Sequence, residues 1–246
     1  MLVIRPFIFR QFPEIVCGFS TKIGPNTSAP FYFNLSFSVG DKKEIVNGRR
    51  ELFFAELGLN ENTVSYQKQV HEDNIREVNK HGFCGESDAL ITTSTNLGLA
   101  ISSADCPAIF IYDPVNKIAA AVHSGWRGTA KHILRKTIIK LKNEFKSNPS
   151  DLIIYLGPSI SQINYEVGED VAQNFDEEFI LKKKGKYYLD IKKANKKMML
   201  DEGVLKSNIQ ISKLCSYEYE SVLHSYRRDG QKSGRALGVI AMKENL

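Results

Sequence analysis

A single domain that mixes strands with helices is what this chain predicts, and three observations lead there. Its 246 residues, 42% of them hydrophobic, suffice for one substantial core. The central third is dense in short apolar runs of strand length, and the polar string after His123 opens a strand, loop and helix unit. No repeat, low-complexity stretch or linker interrupts residues 1–246, so one domain spans them.

Taken in order, residues 2–4 and 15–19 read as strands, followed by a Gly-Pro-Asn loop around 24–28 and then by the segment 31–39. Asp41 is placed to cap a helix over about 44–57, because Ile45, Leu52, Phe53 and Leu57 recur near helical spacing and Gly58 stops it. That helix carries Arg49 and Arg50. Strands are expected at 63–66, 75–78, 89–92, 97–102, 109–112 and 118–122. The turn Gly125-Trp126-Arg127-Gly128 then leads into a helix over 129–145 with Ile133, Leu134, Ile138 and Leu141 on one face. Residues 152–156 form a strand ending at Gly157-Pro158, 171–179 and 191–200 read as helices, and 235–242 is the final strand.

Composition narrows the function classes. The net charge is +5, and much of the surplus sits in Lys182-Lys183-Lys184, Lys186, Lys192-Lys193 and Lys196-Lys197. Those lysines interleave with Gly185, Asp190 and Glu178, which describes a solvated surface rather than a nucleic-acid footprint, while an anionic small substrate stays compatible. The amino terminus has apolar pieces broken by Arg5, Pro6 and Arg10 and is not expected to be a signal peptide. No run is long enough to cross a bilayer, and Cys17, Cys84, Cys106 and Cys215 show no disulfide spacing, so a cytoplasmic protein with free thiols and no membrane partner is expected.

Chemistry concentrates in Gln69-Val70-His71, Ala104-Asp105-Cys106-Pro107 and His123-Ser124-Gly125-Trp126-Arg127-Gly128. Two imidazoles and one thiolate are the ligand set of a zinc site that keeps its fourth position open, the arrangement used for catalysis. Spacing alone does not announce a metal, since 35 residues separate His71 from Cys106 and 17 separate Cys106 from His123. A lone histidine or cysteine can equally be a hydrogen-bonded imidazole or a small buried hydrophobe, and what favours a site is the setting: each candidate ends or follows an apolar stretch, where loops on a rigid sheet assemble sites. The competing chemistry is a Cys106 nucleophile activated by one histidine for acyl transfer. The second histidine favours metal, because one base suffices to activate a thiol. Ser225-Tyr226-Arg227-Arg228-Asp229-Gly230 adds adjacent arginines suited to a phosphate or carboxylate, or to an ion pair with Asp229, and Leu156-Gly157-Pro158 with Tyr165-Glu166 either walls a pocket or makes a packing turn.

In this order the Gln-x-His, Ala-Asp-Cys-x-Pro, His-x-Gly-Trp-Arg-Gly, Leu-Gly-Pro and Ser-Tyr-Arg-Arg-Asp strings resemble the laccase-domain family, from Asn34-Leu35-Ser36 through Gly238. That family was once labelled multicopper polyphenol oxidase and is now regarded as zinc-dependent purine nucleoside phosphorylases. The resemblance implies an α+β fold with two mixed sheets between helical layers. It further implies one zinc on His71, Cys106 and His123, phosphorolysis of adenosine, inosine, guanosine and methylthioadenosine, and adenosine deamination as a side activity. Asn34, Arg50, Gln69 and Arg227 would bind substrate, with Arg50 and Arg228 orienting phosphate. Asp105, as a catalytic residue, would orient His71 or His123 or assist proton transfer. Partners would be purine nucleosides and phosphate, without nucleic acid, for a monomer or homodimer. Two departures stand out. Arg49 replaces the asparagine of an Asn-Arg pair, leaving open which arginine faces the site, and Glu72 replaces a glycine beside His71. Five histidines, His71, His81, His123, His132 and His224, are too few for a multicopper oxidase, so copper would only occupy the zinc position. The alternative reading is a Cys/His hydrolase acting on amide or peptidoglycan-precursor substrates.

Overall fold

The computed structural model describes residues 1–25 and 27–244. Of the expected loop around 24–28, Asn26 lies outside the described residues, as do the last two residues of the chain. The strands are β1 (Val3–Ile4), β2 (Ile15–Ser20), β3 (Val64–Lys68), β4 (Ile75–Glu77), β5 (Gly82–Glu86), β6 (Ala89–Thr92), β7 (Gly98–Ser103), β8 (Ala108–Asp113), β9 (Ile118–His123), β10 (Ile153–Leu156), β11 (Glu166–Val167), β12 (Ile180–Lys183), β13 (Lys186–Leu189), β14 (Ile209–Ile211) and β15 (Ala236–Met242). The helices are α1 (Lys43–Glu56), α2 (Trp126–Ala130), α3 (Ile133–Phe145), α4 (Glu169–Ala172), α5 (Ile191–Asp201) and α6 (Tyr226–Asp229).

Two six-stranded mixed sheets result, in the orders β1-β2-β15-β7-β3-β5 and β14-β10-β8-β9-β6-β4, with a small sheet β11-β13-β12 beside them. Side-chain alternation explains the layering. On β15, Leu237, Val239 and Ala241 pack with Phe53, Phe54 and Leu57 around α1, while Ala236, Ile240 and Met242 join Phe19, Phe110 and Tyr155 between the two sheets. The far face of the second sheet buries Ile109, Ile111, Val122 and Ile154 against Ile133, Leu134, Ile138 and Leu141 of α3 and Met199 of α5. The α+β fold with two mixed sheets between helical layers therefore stands as expected. Close approach of the sheets requires Gly238, where a Cβ would lie 2.4 Å from Phe110 Cζ and 2.9 Å from Phe19 Cδ2.

Several local expectations are revised. The first helix is capped at Lys42, not Asp41, whose carboxylate instead accepts from Lys42 N and holds Arg49 Nη1 at 2.7 Å. Its buried face is Val46, Arg49, Arg50, Phe53 and Phe54, leaving Ile45 and Leu52 exposed, because both arginines find internal partners. The helix expected over 129–145 breaks into α2 and α3 at His132, whose φ of 60° is left-handed. The helix expected over 171–179 shrinks to α4 and one 3-10 turn at Glu177–Phe179, since α4 buries only Ala172 and the turn only Phe179, too little apolar surface for a continuous face. The lysine run lies on an exposed hairpin, β12 and β13, turned at Lys184 and Gly185 with φ of 50° and 72°, a pair of left-handed residues suited to a tight hairpin.

Candidate metal centre

The three donors come from three strand ends. His71 follows β3, Cys106 lies between β7 and β8, and His123 ends β9. Their ligand atoms all lie within 4.8 Å of one another, and among the described residues they form the single cluster of this kind. The His71 and His123 rings meet edge to face, with centroids 4.8 Å apart. Gly125 leaves room for this convergence. A Cβ there would stand 3.1 Å from Cys106 Sγ, 3.2 Å from His71 Cδ2 and 3.4 Å from His123 Cε1.

Asp88, fully buried immediately before β6, builds one half of the centre. Its carboxylate accepts from the backbone N–H of Val70 (3.1 Å), His71 (3.1 Å) and Glu72 (2.9 Å), which holds His71 at a left-handed φ of 61°. The same carboxylate shares a 2.7 Å hydrogen bond with His123 Nδ1, leaving Nε2 as the free donor of that ring. Burial opposes the carboxylate charge, yet the His123 bond and the backbone N–H groups outweigh it and hold Asp88 below the usual carboxylate value.

The other half is the loop bearing Cys106. Asp105 has φ of 88°, a strained value for a residue with a side chain. It is held there by Ser216 Oγ and Arg227 N, each donating at 2.6 Å to the carboxylate, and by Ile160 N donating at 3.0 Å to its carbonyl. Ser103 Oγ donates to Cys106 O at 2.6 Å and completes the turn. Burial disfavours a Cys106 thiolate, but hydrogen bonds and charge from His123 and His71 overcome it and bring the thiol down to about 6. Burial likewise opposes a charged His123, while Asp88 and Cys106 raise it to about 9. Two imidazoles and a readily ionised thiol, one imidazole braced by a carboxylate, fit a divalent ion with an open fourth position.

The three donors line a cavity of about 640 Å³ whose walls include Phe37, Tyr66, Phe83, Gln67, Gln69, Tyr226, Arg50 and Arg235. That volume is in the roughly 300–1,000 Å³ range of small-molecule sites. Arg50 is the inward arginine. Its guanidinium lies over the rings of Phe37 (4.2 Å) and Tyr66 (5.0 Å), Nε donates to Leu35 O at 2.9 Å, and Nη1 is 3.5 Å from Glu61. Arg49 instead pairs with Asp41.

The remaining sequence candidates take other places. Gln69 lines the cavity, but its amide bridges to β7, donating to Ser102 O (2.9 Å) and accepting from Ser102 N (2.7 Å). Asn34 is fully buried and holds the backbone of Ser36 and Arg235. Arg227 donates to Glu166 O and lies over Tyr165. Arg228, expected at the anion, does not line the cavity. Its guanidinium donates to the carbonyls of Ser216, Tyr217 and Leu223 and to the Asp229 carboxylate, which uses every N–H it has. Asp105, expected beside a histidine, points its carboxylate at Ser216 and Arg227 instead. Sequence reading missed Asp88 and Arg235. Arg235 stacks on Tyr226 at 5.2 Å inside the cavity, and its signal was a lone arginine at the mouth of a wholly apolar strand. Asp88 left a matching signal, an acid opening the buried strand Ala89–Thr92.

Residues 16–243 match the family described as multi-copper polyphenol oxidoreductase laccase. The chain is 31% identical to the purine nucleoside phosphorylase YlmD of Bacillus subtilis over 94% of its own length and 90% of that protein's. It is 39% identical to a purine nucleoside phosphorylase of Clostridium acetobutylicum over 75% and 79% of the two chains. Among solved structures, it is similar to YlmD from Geobacillus stearothermophilus, with a TM-score of 0.91, 29% identity and coverage of 96% and 94%.

Proposed function

The chain belongs to the multi-copper polyphenol oxidoreductase laccase family, and on that premise we propose that it is a zinc-dependent purine nucleoside phosphorylase. Adenosine, inosine, guanosine and methylthioadenosine are its substrates in this reading, with adenosine deamination as a side activity. One observation carries the proposal: His71, Cys106 and His123 converge at a cavity that Arg50, Arg235 and the rings of Phe37, Tyr66, Phe83 and Tyr226 also line. The relatives named purine nucleoside phosphorylases support it. Three donors gathered at one point favour a single ion over a copper cluster.

Phosphorolysis of an N-glycosidic bond builds positive charge on the ribose and negative charge on the departing base, so the nucleophile must be an oriented anion. Arg235 and Arg50, the two guanidinium groups lining the cavity, hold phosphate in this proposal, Arg235 taking the part expected of Arg228. Zinc on the three donors would supply Lewis acidity towards the bound oxyanion. Asp88 fixes His123 by its Nδ1 bond and the His71 loop by three N–H groups, so the donors arrive preorganised. Phe37, Tyr66 and Phe83 offer aromatic faces to the purine and exclude water from it. Water entering where phosphate binds, with the nucleoside turned so that C6 rather than C1′ faces it, would account for deamination, which phosphate should then inhibit.

The test combines elemental analysis with a nucleoside screen at fixed phosphate, following free base and ribose-1-phosphate. Stoichiometric zinc and phosphate-dependent base release are expected, with activity lost to chelator and restored by zinc. The Cys/His pair at Cys106 keeps a second reading, an amide hydrolase. Turnover that persists without metal but is lost to iodoacetamide would replace the phosphorylase with that hydrolase.

A further inference from the structure

Gln67 is a polar side chain of the cavity wall to which the reading above gives no task. It sits on β3 between Tyr66 and Lys68, where the ladder to β5 slips register, and it lines the cavity together with both neighbours. Its amide oxygen and nitrogen are both buried, and no protein group among the described residues hydrogen-bonds to either. Gln69, two residues on, is the contrast: its amide is spent on Ser102. Buried carboxamides are nearly always paired, and an unmet donor and acceptor together are expensive to keep. A ligand with a matching acceptor and donor would relieve that cost.

The surroundings narrow the ligand. Tyr66 and Phe83 stand beside Gln67 with ring centroids 6.0 Å apart, and Phe37 and Tyr66 flank the Arg50 guanidinium. A flat heteroaromatic with an edge that both donates and accepts suits an aromatic wall carrying one amide. Resting on the phosphorolysis reading, we propose that Gln67 pairs with the N1–C6 edge of the purine. That edge offers an acceptor at N1 and a donor at N6 in adenine, and the reverse, a donor at N1 and an acceptor at O6, in hypoxanthine and guanine. A carboxamide turned by half a revolution about its last bond meets either pattern, whereas a carboxylate or an ammonium meets neither in full. Gln67 is thus the specificity residue that admits 6-amino and 6-oxo purines to one site.

The discriminating substrate is purine riboside, which keeps N1 and lacks any group at C6. With wild-type enzyme, adenosine and inosine should each exceed purine riboside in kcat/KM by about 10-fold, the size of one neutral hydrogen bond. Gln67→Met, similar in shape and without polar atoms, should flatten those ratios to near unity while zinc content and thermal midpoint stay at or above the wild-type values. Gln67→Leu serves as the second variant with the same expectation. Unchanged ratios in both variants would overturn the assignment and leave phosphorolysis standing. If the wild type cleaves no purine nucleoside, the phosphorylase reading falls by itself. Calorimetric binding of adenine, hypoxanthine and unsubstituted purine to wild type and Gln67→Met then decides Gln67: a preference lost in the variant sustains its contact with the base, and equal binding removes it.

Discussion

Asp88 and Asp105 are both buried, both adjoin the metal-ligand set, and both brace a loop that carries a left-handed residue, yet they do different things. Asp88 gathers three consecutive N–H groups and one ligand ring on a single carboxylate. Asp105 is covalently next to Cys106, but its carboxylate ties the loop to Ser216 and to the first turn of α6. The comparison teaches that adjacency in sequence does not make a residue a partner of the site. Asp88, 35 residues before His123, reaches the ligand because β6 and β9 pair antiparallel, with Ala89 opposite Val122. Asp105 does not, because its two carboxylate oxygens accept from Ser216 Oγ and Arg227 N instead.

The largest break in that comparison should come from Asp88→Ala. It strands three backbone donors and a buried imidazole, so about 3–5 kcal/mol of stability should be lost, together with metal binding, as read by urea unfolding and elemental analysis. Asp88→Asn, which keeps shape, should lower metal affinity about 10–100-fold in a competition titration. Cys106→Ser follows. Its hydroxyl is not ionised at neutral pH, so zinc and turnover should be lost while the metal-free protein still folds and gives up only the thiolate's share of its stability; full zinc occupancy there would remove the ligand assignment.

The arginines sharpen the same lesson. Arg235→Ala should raise the KM for phosphate with zinc retained. Arg228→Ala should leave phosphate dependence alone and cost about 1–3 kcal/mol, because it strands the carbonyls of Ser216, Tyr217 and Leu223. A phosphate defect confined to Arg228→Ala would reverse these roles. Asp105→Ala should cost a similar amount, about 1–3 kcal/mol, and reduce zinc affinity far less than Asp88→Ala does.

The smallest effect is a pH dependence of the metal-free protein. His123 is raised to about 9, chiefly against burial and by its Asp88 bond, so its contribution to stability is full below its ordinary value of 6.5 and is lost as pH rises through about 9. Cys106 is lowered to about 6, so its thiolate contribution is present above the ordinary 9.0 and is lost as pH falls through about 6. Iodoacetamide labelling of Cys106 without metal should therefore show a midpoint near 6, and zinc should protect it. A midpoint near the ordinary thiol value would show that the histidines do not hold the thiolate.

Much of the fold was legible because burial writes a period into the sequence. The strand at Ala89–Thr92 appeared at its full extent, and the α3 stripe of Ile133, Leu134, Ile138 and Leu141 is the buried face seen in the structure. Short or exposed strands such as β5, β12, β13 and β14 carry no such period and were not legible. The break at His132 was also hidden, since a single left-handed residue leaves the apolar spacing on either side intact.

By itself, the sequence determined which residues have the chemistry: two imidazoles and a thiol in three strings that end or follow apolar stretches. Local strings specify this because a loop at a strand end needs particular residue types whatever lies across from it. Which carboxylate braces the histidine, and whether Arg228 or Arg235 faces the cavity, was decided by the tertiary structure alone. Those choices rest on strand pairing and on which hydrogen-bond donors remain unspent once the backbone has been satisfied, and both are contacts between residues far apart in the chain.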